Sequence, residues 1–148
     1  MTRRWPVLAT LLAAAALCSC SRAGSAKSEP RYDLSVAPVH GVGRVLVNAK
    51  GMTLYLYVPD RQKASHCTGF CATQWPPVLA PSAGRLVLGP GVDGSLVGSV
   101  RRSDGALQLT YDKWPLYTYS LDTPGNPAGA GVDMGLWQPM APNGHGVP

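Results

Sequence analysis

The sequence predicts an all-β domain, a small sandwich or partly open barrel, built from two similar β repeats related by a pseudo-two-fold axis. Three observations support this fold class. Short runs of strand-forming residues alternate with Gly- and Pro-rich turns, no helical periodicity persists after residue 19, and one short pattern occurs twice. The 148 residues are enough for one domain with a modest core.

The repeated pattern is Leu-Tyr-x-Tyr-x-x-Asp, at residues 54–60 and again at 116–122. In both copies a tryptophan follows fifteen positions after the aspartate, and a proline follows two positions later. Only four tryptophans occur in the chain, so chance is a poor explanation for this spacing. We infer an internal duplication, with repeats over about residues 44–78 and 107–140. The motif residues are Tyr55, Tyr57, Asp60 and Trp75 in the first repeat and Tyr117, Tyr119, Asp122 and Trp137 in the second.

Residues 1–19 predict a bacterial lipoprotein signal peptide. A positively charged start precedes an apolar run, which ends in Leu-Cys-Ser-Cys, a match to a lipobox from Leu17 to Cys20. After cleavage, Cys20 would become a lipidated N-terminus that holds the protein on a membrane. The alternative is an ordinary secretory signal, cut near Ala23 or Ala26.

Residues 20–40 are rich in Ser, Ala, Pro and basic side chains, which predicts the lipidated cysteine followed by a flexible tether. A single domain is expected over 41–142 and a frayed tail over 143–148. After signal cleavage, eleven Lys and Arg stand against eight Asp and Glu, and the basic residues are scattered. This distribution is typical of a solvated surface and gives no indication of nucleic-acid binding.

Within the domain, strand-forming residues at 44–48 and 52–58 flank a turn and predict the first hairpin. Residues 72–75 have room for one helical turn before two prolines stop it. Ser-Asp-Gly at 103–105 is a strong hairpin signal. The remaining strands are expected at 85–88, 95–101, 106–111 and 116–121, and residues 137–142 are expected to close the domain.

The two motif tyrosines of each copy lie on one face of their strand, because residues alternate across a strand. The opposite face is apolar in the first copy and partly polar in the second, so the tyrosine face is the one that both copies share. We therefore expect the tyrosine rings to meet the motif tryptophans in the interior, with the motif aspartates as candidate partners for their hydroxyls. The functional alternative is a ligand or electron-relay site. Packing is favoured, since aromatic residues fill β cores routinely.

Cys67 and Cys71 are the two cysteines that remain once the signal is removed and Cys20 is lipidated. In an oxidising compartment they predict a disulfide, and closing so short a loop contributes about 2 kcal/mol. Two functional alternatives compete with this structural role. The pair could be a thiol–disulfide redox site, or it could bind copper together with His66, with Met52 or Met134 as a further ligand.

These residues carry a resemblance to a known family. Tyr55–Asp60 and Tyr117–Asp122 both fit a Y-x-[FWY]-x-x-D motif, and the segments 67–77 and 114–117 also look like family features. On these grounds the chain resembles the bacterial secreted-repeat lipoproteins, over roughly residues 43–142. The resemblance implies an exported protein, anchored to a membrane of the bacterial cell envelope. It implies no reaction, because the family is functionally uncharacterised.

No enzyme motif is found in the sequence. Residues 89–94 formally match G-x-G-x-x-G, but a strand follows them where a nucleotide site needs a helix. The sequence therefore predicts a lipid-anchored envelope protein with a non-enzymatic binding or structural domain, without catalytic residues, cofactor or metal. Its expected partners are the membrane, through the lipid, and an envelope protein or small ligand. The alternative is an envelope redox or copper-handling protein that uses His66, Cys67 and Cys71.

Overall fold

The computed structural model describes residues 31–62, 64–82 and 84–148. The predicted signal peptide, Cys20 and the first part of the tether lie outside the described residues. In the described part of the chain, no helix is both long and apolar enough to cross a membrane. The strands are β1 (Leu34–Val39), β2 (Gly43–Asn48), β3 (Tyr55–Tyr57), β4 (Val97–Arg101), β5 (Leu107–Tyr111), β6 (Trp114–Pro115) and β7 (Trp137–Pro139). The helical segments are α1 (Phe70–Gln74), α2 (Val132–Gly135) and two 3₁₀ turns, Val58–Asp60 and Gly94–Leu96.

The described strands form three small antiparallel sheets, and they do not close into a barrel. β1 pairs with β2, β3 pairs with β7, and β4, β5 and β6 form a three-stranded sheet in that order. The helical segments are one turn long, and α2 contains two residues with left-handed φ, Asp133 at 55° and Met134 at 56°. The all-β prediction is confirmed.

The two repeats meet at their motif strands. The backbone N–H of Tyr55 donates to the carbonyl oxygen of Tyr117 at 2.9 Å, and the N–H of Tyr117 donates back to Tyr55 at 3.0 Å. On the far side of each tyrosine lies the proline of a Trp-x-Pro segment. Tyr55 is paired with Pro139, and Tyr117 is paired with Pro77. Each motif strand therefore pairs with its counterpart and with one Trp-x-Pro segment, which is the arrangement expected of a pseudo-two-fold axis.

The motif strand of the first repeat separates two cores. Leu54 and Leu56 face a cluster of mainly aliphatic side chains, while Tyr55 faces a second cluster that is mainly aromatic. Alternation along the strand thus sends successive side chains into different cores. The aliphatic cluster consists of Leu34, Leu46, Leu54, Leu56, Leu109, Tyr111, Leu116 and Met140. The aromatic cluster consists of Tyr55, Cys67, Trp75, Tyr117 and Trp137.

The folded part begins earlier than the sequence predicts. Leu34–Val39 is strand β1, whereas the tether was expected to extend to residue 40. Leu34 is completely buried in the aliphatic core, and β1 pairs along its whole length with β2. The Ser- and Pro-rich composition hides this strand, because its stability comes from pairing with β2 and not from its own residue preferences.

The C-terminal tail is also packed, contrary to the expectation that residues 143–148 are frayed. Gly146 forms a bridge with Met140, and the N–H of Val147 donates to the carbonyl oxygen of Pro139 at 2.8 Å. The Val147 side chain packs against a small valine cluster. Backbone pairing with the end of the second repeat therefore holds the last residues in place.

Four predicted strands are shorter than expected. Regular pairing in 52–58 is confined to Tyr55–Tyr57, because Pro59 cannot donate to a ladder and a 3₁₀ turn begins at Val58. In 116–121 only Tyr117 forms bridges, and in 85–88 only Leu88 does so. The strand predicted at 95–101 begins two residues later, after the 3₁₀ turn.

Candidate functional site

Four motif rings form one continuous stack across the aromatic core, here called the aromatic stack. Trp75 and Trp137 lie at its centre, with ring centroids 3.8 Å apart and planes 2° from parallel. Tyr57 stacks on the outer face of Trp137 and Tyr119 on the outer face of Trp75, each with centroids 4.2 Å apart. The tryptophans are buried, whereas the outer tyrosines are half-buried. The stack therefore has two buried rings at its centre and one half-buried ring at each end.

The other two motif tyrosines contact the tryptophans edge-on. The centroid of Tyr55 lies 5.3 Å from that of Trp75, and the centroid of Tyr117 lies 5.2 Å from that of Trp137. Both are favourable geometries for aromatic pairs. The prediction that the tyrosine rings meet the two tryptophans in the interior is confirmed.

The hydroxyls of these two tyrosines bind aspartates of the opposite repeat. Tyr55 Oη donates to Asp122 Oδ2 at 2.7 Å, and Tyr117 Oη donates to Asp60 Oδ2 at 2.7 Å. We call these the crossed Tyr–Asp pairs. Because each bond joins the first repeat to the second, the two repeats share one buried polar site.

Each aspartate also closes the turn that follows its motif. Asp60 Oδ1 accepts a hydrogen bond from the backbone N–H of His66 at 2.7 Å, and Asp122 Oδ1 accepts one from Gly129 at 3.1 Å. The 3₁₀ turn after Tyr57 carries Asp60 into the core, where it is 1% exposed. All four carboxylate oxygens thus have a donor within the domain, in agreement with the rule that buried charge must be hydrogen-bonded.

Burial is the main electrostatic influence on the crossed pairs. It raises the pKa of the Asp60 and Asp122 carboxyls above their ordinary 3.8, and hydrogen bonds from Tyr117, His66 and Tyr55 offset part of this increase. Burial also raises the pKa of the Tyr55 and Tyr117 phenols, and the carboxylate that accepts each proton raises it further. The phenols therefore remain protonated at neutral pH and act as donors.

A buried guanidinium lies beside the Tyr117–Asp60 pair. Arg102 is 5% exposed, and its Nη2 donates to the carbonyl oxygen of Cys67 at 2.9 Å. Its Nη1 donates to Gln108 Oε1 at 2.8 Å and also to Ser65 Oγ. Nε donates to Asp104, an exposed carboxylate at 3.2 Å. The prediction that Arg102 belongs to the solvated surface is wrong, because Ser65, Gln108 and the Cys67 carbonyl hold its guanidinium inside the domain.

Side-chain contacts connect Arg102 to the tyrosines. Ser65 Oγ, which accepts from Arg102, lies 2.8 Å from Tyr117 Oη. Gln108 Nε2 donates to the carbonyl oxygen of Leu116 at 2.7 Å. The guanidinium therefore holds the start of the second motif, through Gln108, and the loop before Cys67 in fixed positions.

His66 connects the same site to solvent. Its Nδ1 lies 3.2 Å from Asp60 Oδ1, and its side chain is 58% exposed whereas that of Asp60 is fully buried. No such histidine is bound to Asp122, whose second acceptor contact within the described residues is the Gly129 N–H. The two crossed pairs thus differ in their surroundings, because the Tyr117–Asp60 pair also contacts Ser65 and the exposed His66.

Cys67 and Cys71 are joined by a disulfide, with an S–S distance of 1.98 Å. Cys67 is 1% exposed and packs in the aromatic core, and Cys71 lies in α1 and packs against it. The bond thus fixes the segment before Trp75. The copper alternative requires free thiolates, so these two residues would first have to be reduced. The described residues contain no group of three or more His, Cys, Asp or Glu side chains placed to hold a metal ion.

The structure brings all eight motif residues into one cluster. Sequence reasoning missed Ser65, Arg102 and Gln108, which support the Tyr117–Asp60 pair. Alternation along the strand at 106–111 places Gln108 on the face opposite Leu107 and Leu109, so the sequence gives no signal that Gln108 is buried. Nothing in the sequence indicates that Arg102, at the start of the 103–105 turn, points inward.

Comparison with known proteins places this geometry in a family. The profile of one protein family, described as a secreted repeat of unknown function, matches the chain twice, over residues 40–79 and 98–141. The two matches cover more than half of the chain, and each contains one copy of the motif. The chain belongs to the secreted-repeat family. No match was found among curated proteins or among solved structures.

Membership of a secreted family means that the protein is exported from the cytoplasm. Each matched secreted repeat ends two residues beyond its Trp-x-Pro segment. One secreted repeat therefore contains a motif strand and a stacking tryptophan, but the acceptor for its buried tyrosine lies in the other repeat. The buried polar site is a property of the pair of secreted repeats.

Proposed function

We propose that this protein is anchored by a lipid on Cys20 to a membrane face outside the cytoplasm, and that its exported domain acts by binding or structural support, not by catalysis. The observation that carries the second part is the burial and internal hydrogen bonding of the motif acids. All four carboxylate oxygens of Asp60 and Asp122 accept hydrogen bonds from the domain itself. Carboxylates that are buried and join the two repeats in this way are engaged within the domain and are not presented to a substrate.

The anchor is supported by the lipobox that ends at Cys20 and by the family's secretion. It is tested with Cys20→Ala in a bacterial host, with Cys18→Ala as the matched control, because Cys18 precedes the cleavage site. We expect Cys20→Ala to move the protein to the soluble fraction and to abolish labelling with radioactive palmitate. Cys18→Ala should remain membrane-bound and labelled. Membrane retention of Cys20→Ala would contradict lipidation.

The structural role of the disulfide is tested by a thiol count on the protein denatured without reductant. The Cys67–Cys71 bond predicts no free thiol beyond any unlipidated Cys20. The redox alternative requires more, namely that the bond is reduced and re-formed in the folded protein. Reduction only after unfolding supports the structural role, whereas rapid reduction by a dithiol in the folded state favours the alternative.

A further inference from the structure

The aromatic stack offers a path for electrons through the domain. Its neighbouring rings are in face-to-face contact, with centroids no more than 4.2 Å apart along the whole path from Tyr57 to Tyr119. Electron transfer between rings depends on orbital overlap and falls steeply with distance, so contacts of this kind favour it. The two outer rings are half-buried, and a one-electron oxidant can therefore approach either end without entering the core.

The crossed Tyr–Asp pairs supply what such a path needs in order to hold an oxidising equivalent. A phenol loses an electron readily when its proton can leave at the same time. In each pair a carboxylate oxygen accepts the phenol hydrogen at 2.7 Å, a short charge-assisted hydrogen bond. Tyr117 contacts Trp137 edge-on, and Tyr55 contacts Trp75 in the same way. Each central tryptophan thus has its own phenol with a proton acceptor in place.

We propose that the aromatic stack carries single oxidising equivalents from an outer-sphere one-electron oxidant, such as an oxidised metal complex, to Tyr117 and Tyr55, which hold them as neutral phenoxyl radicals. The oxidant takes one electron from the stack and is itself reduced. The tryptophan radical cation that results takes an electron from Tyr117, and the phenol proton moves to Asp60 Oδ2. One electron from a one-electron reductant, with the return of that proton, restores the phenol. Tyr55 and Asp122 perform the same step on the other side.

The proposal distinguishes the two inner tyrosines from the two outer ones. All four rings contact a tryptophan, but the inner phenols of Tyr55 and Tyr117 donate to a buried carboxylate. The inner tyrosines are also shielded from solvent, at 0% exposure. A radical is therefore formed with its proton retained nearby and is protected from reaction with other molecules.

The test uses the full-length protein in detergent and the tris(bipyridine)ruthenium(III) ion, generated by a laser flash, as oxidant. Transient absorption and electron paramagnetic resonance then follow tryptophanyl and tyrosyl radicals. In the wild type we expect a tryptophanyl radical that decays into a long-lived tyrosyl radical. The double variant Tyr55→Phe/Tyr117→Phe should lose the long-lived tyrosyl signal and prolong the tryptophanyl one. The matched control, Tyr57→Phe/Tyr119→Phe, also lacks two phenols but should keep the long-lived signal.

A second set of variants keeps the proposal testable where the double variant fails to fold. Asp60→Asn combined with Asp122→Asn preserves the size of both side chains and removes both proton acceptors, so the tyrosyl yield should fall. Asp133→Asn, at an exposed residue, should leave the yield unchanged. Near-ultraviolet circular dichroism verifies that each variant retains its core. A wild type without a long-lived tyrosyl radical, or a signal that survives in Tyr55→Phe/Tyr117→Phe, would overturn the proposal.

Discussion

Replacing Tyr117 with Phe removes one hydroxyl group and leaves its ring in place against Trp137. The hydroxyl donates to Asp60 Oδ2 at 2.7 Å and also contacts Ser65 Oγ at 2.8 Å. A hydrogen bond to a charged partner contributes roughly 1.5–3 kcal/mol net. Asp60 has little freedom to turn toward another donor, because its second oxygen accepts the His66 N–H. We therefore expect Tyr117→Phe to lower the free energy of unfolding by about 2–3 kcal/mol.

Urea unfolding, followed by the fluorescence of the buried tryptophans, measures this loss. Tyr119→Phe is the matched control, because it removes a hydroxyl from a half-buried ring of the same stack and should cost less than about 0.5 kcal/mol. A double-mutant cycle with Asp60→Asn isolates the pairwise contribution, expected at about 1–3 kcal/mol. Equal losses in Tyr117→Phe and Tyr119→Phe, or no coupling between Tyr117 and Asp60, would refute the reasoning.

Three further predictions concern pH, the disulfide and the stack. Burial raises the pKa of Asp60 and Asp122, so the folded protein holds these protons more tightly than the unfolded chain does. The stabilisation is fully present below the pKa of these carboxyls in the unfolded chain, and it is lost as the pH rises through their pKa in the folded protein. The free energy of unfolding should therefore increase on acidification from about pH 7 toward 4, measured by urea unfolding at each pH. Replacing Cys67 and Cys71 with Ser should cost about 2 kcal/mol in the same assay. Trp137→Ala should cost about 3–5 kcal/mol, since Trp137 is 1% exposed and stacks on two rings.

Each of these three has its own control. Asp60→Asn/Asp122→Asn should flatten the pH dependence, and an unchanged slope would assign it to other groups. The effect of the Cys67 and Cys71 replacement should disappear when the wild type is unfolded with reductant present. For Trp137, the half-buried Trp114 is the control, and Trp114→Ala should cost less. A near-neutral effect of Trp137→Ala would contradict the buried position of the stack.

The duplication and the aromatic core could be predicted from sequence because both depend on local spacing. Alternation along a strand places two tyrosines on one face, and the recurring Trp-x-Pro indicates what they contact. The crossing of the Tyr–Asp bonds could not be predicted in this way. Whether Tyr55 binds Asp60 or Asp122 depends on how the repeats are placed in space. The spacing within the motif does not decide it, because each aspartate lies at the same distance from the tyrosines of its own copy.

The remaining differences arise where tertiary contacts override composition. Strand β1 lies in Ser- and Pro-rich sequence, yet it is held by pairing with β2. Alternation predicts that Gln108 and Leu109 face opposite environments, but both are buried, because Arg102 and the Leu116 carbonyl satisfy the amide of Gln108. Arg102 in turn needs acceptors from distant parts of the chain. Such compensation between buried polar groups is visible only after the chain has folded.

The crossed bonds also bear on how a two-repeat chain arises. A chain with a single repeat would have a buried phenol without an acceptor and a carboxylate without its phenol donor. Two copies of such a chain would satisfy each other through the contacts that Tyr55, Tyr117 and their aspartates make here, across an isologous interface with two-fold symmetry. Joining the copies would then make the association intramolecular. Each half could afterwards diverge in sequence, and the disulfide and His66 are features of the first half alone. The present domain thus has the architecture of a homodimer whose two subunits are joined in a single chain.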